Sequence, residues 1–297
     1  MSSQTADMNA ATARAESART ALRRRRTGVR NEHRFGLGSW IALVVMGILL
    51  LLAIFPSLFS PDSPQTQNIS VRLHGPSTSH LLGTDVVGRD VLSRVIWGAR
   101  DALSGVAIAL AGAIVLGVPW GLVAGYGNTI VDEVVMRIAD AILSIPGIVL
   151  ALAITGVLGP SLRNAMLSVG FVFAPIIARL MRSAVLPMRN AEFVMVARSL
   201  GLNPIHISIR HVLPNAFAPV LVQLFGLASL SFIIEAALAF LGLGVQPPNA
   251  AWGADMAQAY ANFTSAPLNT VTPGVVVTIA AFCVSVIGDG VRNRLLV

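Results

Sequence analysis

S-W-I-A-L-V-V-M-G-I-L-L-L-L-A-I-F-P-S-L-F, residues 39–59, is apolar almost without interruption and gives way at Pro56 and Pro61. About 20 residues of α-helix are needed to cross a hydrocarbon layer, so this stretch reads as a membrane span. Five more runs meet the same test, at 102–124, 138–158, 165–186, 216–241 and 273–289, the last being the shortest. Backbone groups in lipid must pair within their own segment unless strands close into a barrel. Barrel strands alternate apolar and polar residues, and Ile41 to Ile54 or Ala107 to Val118 do not. The fold class expected is therefore an all-α polytopic membrane protein with about six transmembrane helices.

Composition agrees with this. A mean hydropathy of +0.73, with 55% apolar and only 12% charged residues over 297 residues, lies outside the range of soluble domains. The one cysteine, Cys283, excludes an intramolecular disulfide and reads as a small buried apolar residue. The net charge of +7 is carried largely by arginine, with one cluster at Arg23 to Arg26, Arg30 and Arg34. Nucleic-acid binding would need interleaved aromatics or a recognisable motif, and neither accompanies the cluster. A transit peptide fits its Ala, Ser and Arg content, but retention on the cytoplasmic side fits the apolar run that follows. A cleaved secretory signal does not, because that run is too long and lacks a small-x-small exit.

With the N-terminus inside, the inner connections carry Arg137, then Arg179, Arg182, Arg189, Arg198 and Arg210, then Arg292 and Arg294, following the positive-inside rule. The outer 60–101 connection breaks the pattern with Arg72, Arg89, Arg94 and Arg100, balanced by Asp62, Asp85, Asp90 and Asp101. The domain organisation expected is a basic disordered tail over 1–37, a first span over 38–60, and an external loop with an interfacial helix over 61–101. A five-helix core over 102–297 follows, with a cytoplasmic loop at 187–215 and an external loop at 242–272. The interfacial helix is read at 88–100, where Val91, Leu92, Val95 and Ile96 share one face and Arg89, Asp90, Ser93 and Arg94 the other. Gly105, Gly112, Gly117, Gly147, Gly156, Gly170 and Ala174 permit close helix approach in lipid, while Pro119, Pro146 and Pro175 would bend or break their helices.

The inner connection reads P-M-R-N-A-E-F-V-M-V-A-R-S-L-G-L-N-P-I-H-I-S-I-R-H-V-L-P-N, residues 187–215. It has the pattern of two short helices meeting at a turn. The first, over about 190–200, ends at Gly201, suited to a left-handed cap. Asn203 offers an N-cap and Pro204 an N1, so the second begins near 204 and stops before Pro214. Leu200, Leu202, Ile205 and Ile209 put apolar side chains on the bend, which suits either a docking surface or an interfacial helix pair.

This loop resembles the EAA loop of bacterial ABC importer permeases, with Glu192, Ala197-Arg198, Gly201 and R-H-V-L-P-N at 210–215 in matching places. Met195 and Val196 depart from the usual residues of that motif. H-L-L-G-T-D-V-V-G-R-D-V-L-S-R at 80–94, W-G-A-R at 97–100, R-I-A-D-A-I-L-S-I-P at 137–146 and F-L-G-L-G-V-Q-P-P-N-A-A-W-G at 240–253 resemble the dipeptide, oligopeptide and nickel branch. The C-terminus keeps Gly-Asp-Gly at 288–290 but lacks the Asp-Pro finish. The resemblance, which runs from about 80 to 290, implies a type I ABC importer permease fold. It also implies one half of a pathway for short peptides, with nickel chelates or glutathione-like peptides as alternatives. The implied partners are a second homologous permease subunit, two ATPase subunits or one fused ATPase, an extracytoplasmic substrate-binding protein and the lipid membrane of a bacterial cell.

On the same resemblance, the loop is the coupling element to the ATPase. Glu192, Ala197, Asn203, Pro204, Leu213 and Pro214 frame it, Gly201 allows close approach, Leu200, Leu202 and Ile205 fill a groove, and Arg198 meets an acidic group. The resemblance implies no cofactor in this chain, ATP and Mg being held by the ATPases. Trp252 and Tyr260 fall in the outer loop that faces the binding protein, with Trp252 alternatively an interfacial anchor. Glu235, inside the fifth span, is the candidate for lining the pathway.

No catalytic or metal residues are expected. His33, His74, His80, His206 and His211 are scattered outside the spans, and neither H-E-x-x-H nor G-x-x-x-x-G-K-[ST] occurs, so an ATP requirement would fall on a partner. A secondary transporter or channel would need coupling-ion sites near the midplane in repeated halves, which the sequence does not display.

Overall fold

The computed structural model describes residues 36–295. The basic cluster and most of the expected disordered tail lie outside them. The described chain forms α1 (Leu37–Ile54), α2 (Val91–Tyr126), α3 (Thr129–Leu143), α4 (Gly147–Leu158) and α5 (Leu162–Met188). It continues with α6 (Glu192–Ser199), α7 (Leu213–Phe240), α8 (Trp252–Tyr260) and α9 (Pro267–Leu295). No strand occurs among the described residues beyond one bridge between Thr84 and Asp90. Among the described residues, five helices are long and apolar enough to cross a membrane, and α3 with α4 make a sixth if the bent pair counts as one span.

The bend between α3 and α4 is 88°. The sequence reading of 138–158 as one span is corrected in that respect. Pro146 has no N–H to give and disfavours helical backbone in the residue before it, so the helix stops at Leu143 and restarts at Gly147. Pro119 and Pro175 stay inside α2 and α5.

The centre of the bundle is the pairing of α2 with α5. Gly105 lies beside Leu162 and Met166, Gly112 against Gly170, Gly117 against Ala174 and Ile177, Gly121 against Ala178 and Met181, and Gly125 against Val185. Both sets of numbers rise together, so these helices run parallel. A Cβ at Gly117 would stand 2.5 Å from the Ala174 carbonyl oxygen, and one at Gly121 would collide with that of Ala178. Small residues thus let the two backbones touch where no hydrophobic effect draws helices together. The α7 helix runs the opposite way, bringing Glu235 to Gly105. Its neighbour α9 reverses again, with Ser229 Oγ donating to Ala281 O at 2.7 Å and Phe225 covering Gly288.

The 187–215 loop therefore sits at one end of the bundle with the starts of α1 and α7 and the ends of α2, α5 and α9. The 61–90 and 241–266 segments cap the other end.

Three further differences from the sequence reading have physical causes. The 88–100 segment is no surface helix, since from Val91 it is the beginning of the continuous 36-residue α2. Its polar face, which amphipathicity assigned to water, is buried with Arg89, Asp90, Ser93 and Arg94. The last span is 29 residues long rather than short, because polar Asn269 and Thr270 continue its helix. The second loop helix does not stop before Pro214. Pro204–Ile207 passes through one wide turn at Ser208–Val212 into α7, and a turn of that width accommodates the missing proline N–H.

Candidate functional site

At the loop end, α6 finishes with Gly201 at φ +75, and the N–H of Leu202 reaches back to Ala197 O at 3.2 Å. This is the left-handed cap expected from the sequence, and it satisfies a carbonyl that would otherwise be orphaned. Asn203 Oδ1 accepts from Ile205 N at 2.9 Å, and Pro204 occupies the first helical position. One side of the turn is anchored, with Val194, Ala197, Ile207 and Val212 buried in the same core as Val185 and Ala216. The other side projects. Leu200 is 75% and Ile205 67% exposed, and Leu202 and Ile209 stand open beside them.

Asn203, Ile205, His206, Ile209, Arg210 and Pro214 line an open concavity of about 770 Å³ next to this knob. Arg198 is held within the chain, its Cζ 5.6 Å from the centroid of the Tyr126 ring and its Nη2 3.4 Å from Tyr126 Oη. Glu192 opens α6 in its first turn, where a carboxylate favours the helix dipole. Leu213 and Pro214 begin α7. The candidates Glu192, Ala197, Arg198, Leu200, Gly201, Leu202, Asn203, Pro204, Ile205, Leu213 and Pro214 thus form one continuous structure.

At the opposite end a buried polar cluster ties the cap together. Arg94 donates to Asp255 and to the carbonyls of Pro64 (2.9 Å), Pro248 (3.3 Å) and Asn249 (3.1 Å). Arg89 binds Asp85 at 2.5 Å and Gln258 at 2.8 Å, and Asn269 Nδ2 donates to Thr84 O at 2.8 Å. Burial pushes the Asp255 carboxyl upward, while the guanidiniums of Arg94 and Arg89 pull it back.

Trp252 belongs to this packed cap. It is 1% exposed, rests on Gly98 and donates Nε1 to Val95 O at 2.9 Å. It therefore offers no surface to a binding protein and no ring to the membrane interface, which corrects both readings of it. Tyr260 is exposed, with its ring edge-on to Phe240.

Glu235 is 2% exposed and packs beside Gly105, with Leu162 and Met166 the other neighbours of that glycine. Neither carboxylate oxygen has a hydrogen-bond partner among the described residues. It lies inside the subunit rather than on an open wall. The open space is next to it, a cavity of about 700 Å³ at the cap end, between the start of α2, the turn before α5 and the 245–250 segment. Trp97, Arg100, Asp101, Gln65, Gln246 and Asn249 are among its lining residues. Sequence reasoning treated Asp101 and Arg100 as offsetting charges in a loop and so missed them. Their spacing just before a small-residue stripe on one helix was the signal available. No group of three or more His, Cys, Asp or Glu side chains among the described residues is placed to hold a metal ion.

Residues 117–295 match the family described as binding-protein-dependent transport system inner membrane component. The chain is 40% identical over 259 residues to the dipeptide transport system permease protein DppC of Alkalihalophilus pseudofirmus, covering 86% of this chain and 84% of that one. It is 36% identical to the di/tripeptide transport system permease protein DppC of Pseudomonas aeruginosa, with 87% of each chain covered. It is 32% identical to the glutathione transport system permease protein GsiD of Pectobacterium atrosepticum, covering 84% and 83%. Among solved structures, a chain of the MetNI methionine ABC transporter in inward-facing conformations matches with a TM-score of 0.55. That match has 20% identity over 66% of this chain and 93% of the other, a likeness that bears on the fold alone.

Proposed function

The chain belongs to the family of binding-protein-dependent transport system inner membrane components, and from that premise we propose that it forms half of the pathway of an ATP-driven importer for short peptides. The substrate class follows the names of the dipeptide and di/tripeptide relatives. The observation that carries the mechanism is the Gly201 bend, an apolar knob projecting from a loop whose other face is buried in the bundle core. A separate ATPase subunit receives Leu200, Leu202 and Ile205 in a groove. Closure of two such subunits around ATP and Mg moves the loop, and α5 and α7, which flank it, move as rigid bodies.

On this reading the loop end faces the cytoplasm with both termini, in keeping with Arg179, Arg182, Arg189, Arg198, Arg210, Arg292 and Arg294 near that end. The cap end, including Tyr260, faces a substrate-binding protein, and a second homologous permease completes the pathway. Disulfide trapping tests the dock. In the assembled importer lacking Cys283, Ile205→Cys is expected to cross-link to a cysteine in the ATPase groove, and Val157→Cys is not. Equal cross-linking from both positions contradicts the proposal.

Glutathione is the second reading, favoured by the 32% identical glutathione permease. Competition of unlabelled glutathione against labelled dialanine uptake separates the two: strong competition supports glutathione, and its absence supports simple peptides.

A further inference from the structure

We infer that the cavity of about 700 Å³ at the cap end binds the free ends of a small zwitterion, its ammonium at Asp101 and its carboxylate at Arg100. The inference rests on the proposed importer reading for its place in the cycle, but its chemistry is read from the cavity itself.

Two opposite charges stand on adjacent positions of α2 and line the same space. Adjacent helical positions diverge and do not face one another. Neither side chain has a hydrogen bond or a salt bridge to another side chain among the described residues, and the charge of Arg100 reaches Asp101 only without direct contact, so the polar atoms of both are open to a ligand. This contrasts with Arg94, six residues before Arg100, and Arg89, just ahead of the helix, which are engaged by Asp255, Asp85 and Gln258.

Among the lining residues Asp101 is the one carboxylate and Arg100 the one guanidinium, so each end of a zwitterion has a single counter-charge. Between the charges the wall is suited to an amide. Gln65 and Asn249 are joined by a hydrogen bond of 3.1 Å, and Gln246 spends its Nε2 on Gly242 and Gly244 carbonyls, leaving its oxygen to accept. Trp97 supplies an apolar side. The volume lies within the range of small-molecule sites.

The test uses the full chain in lipid nanodiscs and calorimetric titration with dialanine, N-acetyl-dialanine and dialanine amide. Dialanine is expected to bind. Blocking its ammonium should weaken binding about ten-fold or more, the scale of a lost hydrogen bond to a charged group. Asp101→Asn should weaken dialanine by a similar factor and abolish the discrimination against the acetylated peptide. Arg100→Gln should abolish the discrimination against the amide. The capped peptides are compared on the unaltered chain, so this arm does not depend on any variant folding. No binding of dialanine, or equal binding of all three, overturns the inference. Dialanine uptake by the assembled importer is measured separately. Uptake that is indifferent to Asp101→Asn and to acetylation also overturns the inference and leaves the importer reading intact. Binding without any uptake overturns the importer reading alone.

Discussion

The guanidinium of Arg198 lies over the ring of Tyr126, 5.6 Å from its centroid, and so fastens the 187–215 loop to the last residue of α2. The same helix carries Asp101 into the cap-end cavity. One 36-residue rod therefore connects the projecting knob to that cavity, and its close packing on α5 makes it stiff. Replacing Tyr126 with Leu removes the ring contact, worth about 0.5–1 kcal/mol at an exposed site. Hydrogen exchange of the Glu192–Ser199 amides should then quicken by roughly 2–5-fold, while exchange in α7 stays unchanged.

Gly201 has a positive φ and open space around its α-carbon. The Gly201→Asp chain should therefore insert and fold, with a local strain of about 1–2 kcal/mol. It also sets a charge on an apolar knob. Copurification of the ATPase should be lost while membrane insertion, read by fractionation, remains. An undisturbed complex would show that the bend is not the dock.

The α2–α5 seam predicts a contrast between glycines. Gly121→Ala drives a methyl into the Ala178 carbonyl and should destabilise the chain by about 1–3 kcal/mol. Gly156→Ala meets nothing within 4 Å and should be neutral or slightly stabilising. Thermal unfolding in detergent, followed by a thiol probe at Cys283, compares the two.

How much of this was legible beforehand depends on which force decides each element. The apolar runs fixed the existence of the spans, and Gly201, Asn203 and Pro204 announced the loop's caps, because these are local effects written in single residues. The surface-helix reading of 88–100 failed because Arg89 and Arg94 are buried by partners far along the chain, Gln258 and Asp255, which periodicity does not reveal. Trp252 misled for the same reason: its anchor is Gly98 and the Val95 carbonyl, over 150 residues earlier. Asp101 looked like one acid among four in a loop until α2 proved to start at Val91.

The cap should be intolerant of charge removal. Asp255→Ala leaves Arg94 buried against backbone carbonyls and, 4.0 Å away, the Asp85 carboxylate that Arg89 already engages, and breaking a buried pair costs about 3–5 kcal/mol. Limited proteolysis in the 61–90 and 241–266 segments should accelerate sharply, and the loop end should be cut no faster than before.

The central claim is that this chain is a pathway without its own power source. Its most direct test is uptake of labelled dialanine into proteoliposomes holding the permease pair and the binding protein, with and without the ATPase subunits. Uptake only when ATPase and ATP are both present is the result expected. Dialanine accumulation by the permeases with no ATPase would contradict it.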